Sequence, residues 1–94
     1  MNVITHVELS PLTKKQLKKL PLHIVINFQN WVEDIEERGL EEVRKIPGYH
    51  DEPLSGELKG LRSVRLSKAY RAYYRIENNQ ICFVKVERVD KHEY

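Results

Sequence analysis

The stretch RSVRLSKAYRAYYRIENNQICFVKVERV, residues 62–89, decides the fold. It divides into three strand candidates, roughly 62–67, 69–77 and 80–89, the last two rich in β-branched and aromatic residues. The tetrad ENNQ (77–80) supplies a hairpin turn, because asparagine tolerates positive φ. Strand alternation then sorts the side chains onto two faces. Val64, Leu66, Tyr70, Ala72, Tyr74, Ile76, Val84 and Val86 suit a core. Ser63, Arg65, Ser67, Arg71, Tyr73, Arg75, Lys85 and Glu87 fall on the other side.

Upstream, the chain offers something to cover the apolar face. Val3–Leu9 is a short β-type run. Ser10-Pro11 is an N-cap followed by proline at the first helical position, predicting a helix from Leu12 to about Leu20. Leu20-Pro21 breaks that helix and opens the next. Ile24, Val25, Phe28, Trp31, Val32 and Ile35 recur at spacings of three and four and form a broad apolar stripe. Gly39 caps or kinks this second helix, and Leu40, Val43 and Ile46 extend the stripe before Pro47-Gly48 ends it. Residues 47–61 read as a polar loop rich in proline and glycine. The expected architecture is a two-layer α+β fold. An N-terminal strand and two helices pack on one face of a small, mainly antiparallel, four-stranded sheet.

Ninety-four residues make one domain, 1–94. A chain 40% hydrophobic and 32% charged supports a small core and argues against disorder. The net charge of +2 is too weak to imply a nucleic-acid partner, so the placement of charge must decide. Cys82, the single cysteine, excludes an internal disulfide and a cysteine-based zinc site, and His6 and His23 stand in no metal-binding pattern. No apolar run reaches the roughly 18 residues of a membrane span, and the N-terminus lacks a signal-peptide core. A cytoplasmic protein with no membrane partner is expected.

The outward sheet face presents Arg65, Arg71, Tyr73, Arg75 and Lys85 on neighbouring strands. A solvated, solubilising face is one explanation. The other is recognition of an anion, RNA among them, since guanidinium groups pair with phosphate oxygens and a ring can stack on a base. Trp31, Tyr70 and Tyr74 read as core residues, and His50 as a surface histidine of the loop.

The element order, the loop DEPLSGELKGLRSVRL (51–66), the strand YRAYYRI (70–76) and the terminal KHEY (91–94) resemble the RelE/ParE toxin superfamily, nearest its HigB/RelE/YoeB-type messenger-RNA interferases. The resemblance covers nearly the whole chain and rests on the joint pattern rather than on one motif. It implies a type II toxin that cuts mRNA in the ribosomal A site, with no metal or cofactor. Its implied partners are the ribosome, mRNA and a cognate antitoxin of helix-turn-helix type. It implies catalytic roles for Glu52 as general base, Arg65 and Arg71 as cations at the scissile phosphate, and His92 and Tyr94 in the tail, although this tail runs past the point where YoeB-like chains end. RNA contacts are expected from Lys59, Arg62, Tyr73, Arg75, Lys85 and Lys91, and antitoxin or ribosome contacts from Lys14, Lys15, Lys18 and Lys19.

The chemistry is coherent without the resemblance. Metal-free RNA cleavage needs a base for the 2′-OH, a cation for the added negative charge and an acid for the leaving 5′-oxygen. Glu52 or His92 can be the base, Arg65 and Arg71 the clamp, and His92 or Tyr94 the acid; Glu52 can equally cap its loop or pair with an arginine. The alternative function is that of a ParE-like toxin without nuclease activity, acting on a protein target such as gyrase.

Overall fold

Two asparagines turn the central hairpin. In the computed structural model, which describes residues 3–89, Asn78 and Asn79 take φ of 53° and 61°. Two consecutive positive φ values give the type I′ turn whose twist matches the flanking strands, and it folds β4 (Tyr70–Glu77) onto β5 (Gln80–Arg88). The remaining elements are β1 (Val7–Leu9), α1 (Pro11–Leu17), α2 (Leu22–Arg38), α3 (Leu40–Val43), β2 (Glu52–Pro53) and β3 (Arg62–Arg65). The strands form one sheet in the order β1-β5-β4-β3-β2, antiparallel except for the parallel pairing of β1 with β5.

The α+β architecture agrees with expectation, with a fifth strand added. Within the expected loop, Glu52 and Pro53 pair with Ser63 and Arg62 and form β2 at the sheet edge. Proline is tolerated there because an edge strand needs no outward ladder donor. Short 3₁₀ turns at Pro47–Tyr49 and Gly56–Leu58 shape the rest of that segment. The first strand is also shorter than expected. Only Val7–Leu9 pair with β5, while the Ile4 carbonyl receives the Leu40 N–H at 2.9 Å at the α2–α3 junction. Gly39 makes that junction, at φ 84° and ψ 156°, a conformation that favours glycine.

Val84 corrects the face map. A register shift sets Tyr73 opposite Lys85 but Tyr74 opposite Phe83, so Val84 is an extra, bulged residue. The core face of β5 is therefore Ile81, Phe83 and Val86, while Val84 is only half-buried. Ile76, at the turn end of β4, is exposed. Ser10 caps α1 as expected, accepting the Thr13 N–H at 3.0 Å, and its hydroxyl donates to the Val84 carbonyl at 2.8 Å. Gln16 Oε1 accepts the Val86 N–H at 2.7 Å. Thus α1 covers the edge of β5 where β1 stops.

The core lies between α2 and the inner face. Trp31 is fully buried, tilted against Tyr74 and edge-on to Phe83, with ring centroids 5.5 and 5.3 Å away. Phe28 meets Phe83 at 4.7 Å. The helical stripe and the Val64/Ala72/Tyr74 face thus close on each other as the periodicities require.

Candidate functional site

The outer face carries the chemistry, and the strand register arranges it in rows. One row runs Glu52, Ser63, Tyr73, Lys85 across β2, β3, β4 and β5; the next runs Arg65, Arg71, Glu87. A cleft of about 510 Å³ opens over them, lined by Glu52, Leu54, Ser63, Arg71, Tyr73, Glu87, Arg88 and Val89.

Arg71 is the centre of the cleft. Its Nη1 donates to Ser63 Oγ at 3.2 Å and lies 3.5 Å from Glu52 Oε1. The unexpected strand β2 makes this meeting possible, since it brings Glu52 beside Ser63. Asp51 holds the entry to β2. Its carboxylate has no solvent exposure, receives the Arg62 Nε–H at 2.7 Å, and accepts the Tyr74 hydroxyl at 2.5 Å. Burial works against the Arg62 charge, yet the Asp51 pairing outweighs it and raises the Arg62 pKa. Burial, reinforced by Asp51, pushes the Tyr74 phenol far above its usual range.

Tyr73 forms the floor. It is only 7% exposed, and its hydroxyl donates to Glu87 Oε2 at 3.1 Å. Burial first, then Glu87, raises its pKa. Lys85 Nζ stands 5.3 Å from the Tyr73 ring centroid and 3.2 Å from Glu87 Oε1. Tyr73 is therefore packed and clamped, with little ring face free for a base.

The expected set divides accordingly. Glu52, Arg71 and Tyr73 meet in the cleft. Arg65 stands across the ladder from Arg71 but lines a different depression, with Asn27 and Tyr49. Arg62 serves the Asp51 network. Arg75 lies outside the cleft and pairs with Glu77 at 3.6 Å. Lys59 is an exposed residue of the β2–β3 loop. Lys14 and Lys15 on α1, and Lys18 and Lys19 just after it, are exposed. Lys91, His92 and Tyr94 lie outside the described residues.

The face is charge-mixed, with carboxylates set among its cations. Glu87 stands opposite Arg71, Glu77 holds Arg75, and Glu8 opposes Cys82, the ladder neighbour of Arg75. Glu87 and Arg88 are cleft residues that sequence reasoning did not select. Alternation did place Glu87 on this face, and attention to sign as well as side would have found it. The arrangement can present an exposed carboxylate and a half-buried guanidinium to one substrate group, and so combine proton acceptance with stabilisation of an anion.

The family model described as ParE toxin of type II toxin–antitoxin system, parDE, matches residues 7–93. Among curated proteins nothing matches. The fold is similar to several solved structures. One is the RelBE2 toxin–antitoxin complex from Mycobacterium tuberculosis, with TM-score 0.66 and 22% identity over 94% of this chain and 99% of that one. Another is YafQ from E. coli, with TM-score 0.71 and 17% identity over 87% and 90% of the two chains. The YoeB–YefM complex from Staphylococcus aureus gives TM-score 0.68 and 19% identity over 87% and 93%.

Proposed function

The chain belongs to the ParE toxin family of type II toxin–antitoxin systems, within the RelE/ParE superfamily, and on that footing we propose that it is a ribosome-dependent endoribonuclease cutting mRNA in the A site. The observation that carries this reading is the Glu52–Arg71 pair, 3.5 Å apart in an open cleft. Glu52 takes the proton from the 2′-OH of the nucleotide before the scissile bond. The freed 2′-oxygen bonds to phosphorus while the P–O5′ bond breaks, and Arg71 balances the extra charge of the crowded phosphate. Substrate binding must part Arg71 from Glu52, freeing the guanidinium for phosphate and the carboxylate for the hydroxyl. The proton for the departing 5′-oxygen is assigned, by the resemblance described above, to His92 or Tyr94; Val89, three residues before His92 in the chain, lines the cleft. No metal or cofactor enters the scheme. A sparse set of this kind gains from a ribosome that aligns the substrate.

A cognate antitoxin of helix-turn-helix type is the second proposed partner. Solved complexes of similar fold, RelBE2 and YoeB–YefM, support a toxin–antitoxin pairing. Work on mRNA places the protein in the cytoplasm.

A ParE-like role without nuclease activity, directed at a protein target such as gyrase, is the competing reading. It is favoured by the family model itself and by the equal number of acidic and basic side chains in the cleft, Glu52 and Glu87 against Arg71 and Arg88. Primer extension on mRNA from translating ribosomes incubated with purified protein separates the two. New 5′ ends at A-site codons are expected. Intact mRNA alongside inhibited DNA supercoiling would overturn the nuclease reading in favour of the alternative.

A further inference from the structure

A second depression, of about 280 Å³, lies where β3 ends beneath α2. Asn27, Asn30, Ile46, Tyr49, Arg65 and Leu66 line it, and it shares no lining residue with the Arg71 cleft. The two sites are nevertheless neighbours. Arg65 and Arg71 face each other across the β3–β4 ladder, a spacing of about 5 Å between Cα atoms.

Arg65 differs from the other arginines of β3 and β4. Arg62, Arg71 and Arg75 are ion-paired at 2.7, 3.5 and 3.6 Å, whereas Arg65 has no carboxylate partner among the described residues. A half-buried guanidinium without a counter-charge is suited to receive an anion. The groups beside it are suited to something larger than an anion. Asn27 Nδ2 donates to the Leu66 carbonyl at 2.7 Å, which fixes the carboxamide and leaves its Oδ1 without a partner among the described residues. Asn30 follows three residues later, on the same side of α2. Carboxamides offer the donor–acceptor pairs that match base edges. Ile46, Leu66 and the Tyr49 ring supply an apolar wall, and the Tyr49 hydroxyl is held by Asp34 Oδ2 at 2.5 Å.

We propose that this depression is a second nucleotide subsite, holding the nucleotide of single-stranded RNA next to the one in the Arg71 cleft. Arg65 contacts its phosphate, and Asn27 and Asn30 read its base edge. The assignment rests on the RNA reading given above. An acidic peptide would satisfy Arg65 alone and leave both carboxamides unused, so RNA fits the whole set better.

The test is a titration of the ¹⁵N-labelled protein with 2′-O-methyl tetranucleotides of A, C, G or U, which lack the attacking hydroxyl and survive intact. Shifts at the Asn27 and Asn30 side-chain amides and at Arg65 Nε are expected, with a preference for one base. Arg65→Gln, shown folded by its own spectrum, should weaken binding about 10-fold and remove those shifts. Asn30→Ala should flatten the base preference by about 10-fold. Shifts confined to the Arg71 cleft, no shifts at all, or larger shifts at Arg65 with hexaglutamate than with RNA would each overturn the subsite. Primer extension with the same preparations judges the nuclease reading separately: cleavage without subsite shifts removes the subsite and leaves the nuclease standing, and absence of both removes both.

Discussion

The Tyr74 hydroxyl, in the middle of β4, donates to Asp51 Oδ2 at 2.5 Å, into a carboxylate that also binds Arg62 and is closed off from solvent. Asp51 immediately precedes Glu52, so the network that closes the core at this edge also moors the carboxylate of the cleft. Asp51→Ala would leave a buried hydroxyl without an acceptor and Arg62 without its counter-charge. A loss of about 3 kcal/mol is expected, measured by urea unfolding. Tyr74→Phe keeps the Asp51–Arg62 pair and should lose only about 1 kcal/mol. Equal stability of Asp51→Ala and wild type would mean that the edge is held by something else.

Arg71→Ala removes a cation from the outer face and no core volume. Its stability should stay close to wild type, while cleavage of ribosome-bound mRNA falls about 10²–10³-fold, the usual effect of deleting one group that stabilises transition-state charge. Near-normal cleavage by this variant would remove Arg71 from the mechanism.

The parts of the fold that depend on neighbouring residues are legible in the sequence. The Ser10-Pro11 cap, the α2 stripe and the Asn78-Asn79 turn each act within a few residues, and each stands where the sequence predicts it. What escapes a sequence reading depends on distant partners. Strand β2 is two residues long, one of them proline, and exists because β3 offers a ladder. The bulge at Val84 is visible only once β4 is laid beside β5, and it reassigns the core side of the strand. In the site, alternation correctly sets Arg71 and Tyr73 outward, yet it cannot report that Tyr73 is packed beneath Lys85 or that Asp51 takes Arg62. Side-chain pairing across strands, rather than strand identity, separates the cations available to a ligand from those already engaged.

Stability should fall in alkali. Burial, with the hydrogen bond to Asp34 and its charge, pushes the Tyr49 phenol up to about 12, Arg38 opposing, and Tyr73 and Tyr74 are raised as well. In the unfolded chain tyrosine titrates near 10. Between those values the unfolded chain has given up a proton that the native chain keeps, so unfolding becomes easier as pH rises. The Tyr49 contribution is complete below about pH 10 and disappears as pH passes through about 12. Urea midpoints measured from pH 9 to 12 should decline less steeply in Tyr49→Phe than in wild type. Identical slopes would show that the Tyr49–Asp34 hydrogen bond is not maintained in solution.

The lysines of the first helix give the last prediction. Lys14, Lys15, Lys18 and Lys19 are far from the cleft in sequence, a separation that by itself favours an independent docking surface for the antitoxin. The fold suggests a second use for the same surface. Helix α1 lies along the edge of β5, and Gln16 binds the N–H of Val86, one residue before the cleft residue Glu87. Exposed lysines on and just after a helix that borders the strand carrying Glu87 would suit the phosphate backbone of RNA, whether ribosomal or messenger. Reversal of all four to glutamate should therefore reduce cleavage. It should also flatten the salt dependence of ribosome binding, by about 0.7 in the log–log slope for each single-strand phosphate that a lysine no longer neutralises. The helix keeps its cap and its Gln16 hydrogen bond in this variant, so the fold should persist, which circular dichroism can check. Antitoxin affinity measured in parallel decides between the uses of the surface. Weakened antitoxin binding with full cleavage and an unchanged salt slope would make the helix an antitoxin dock instead of an RNA-binding edge.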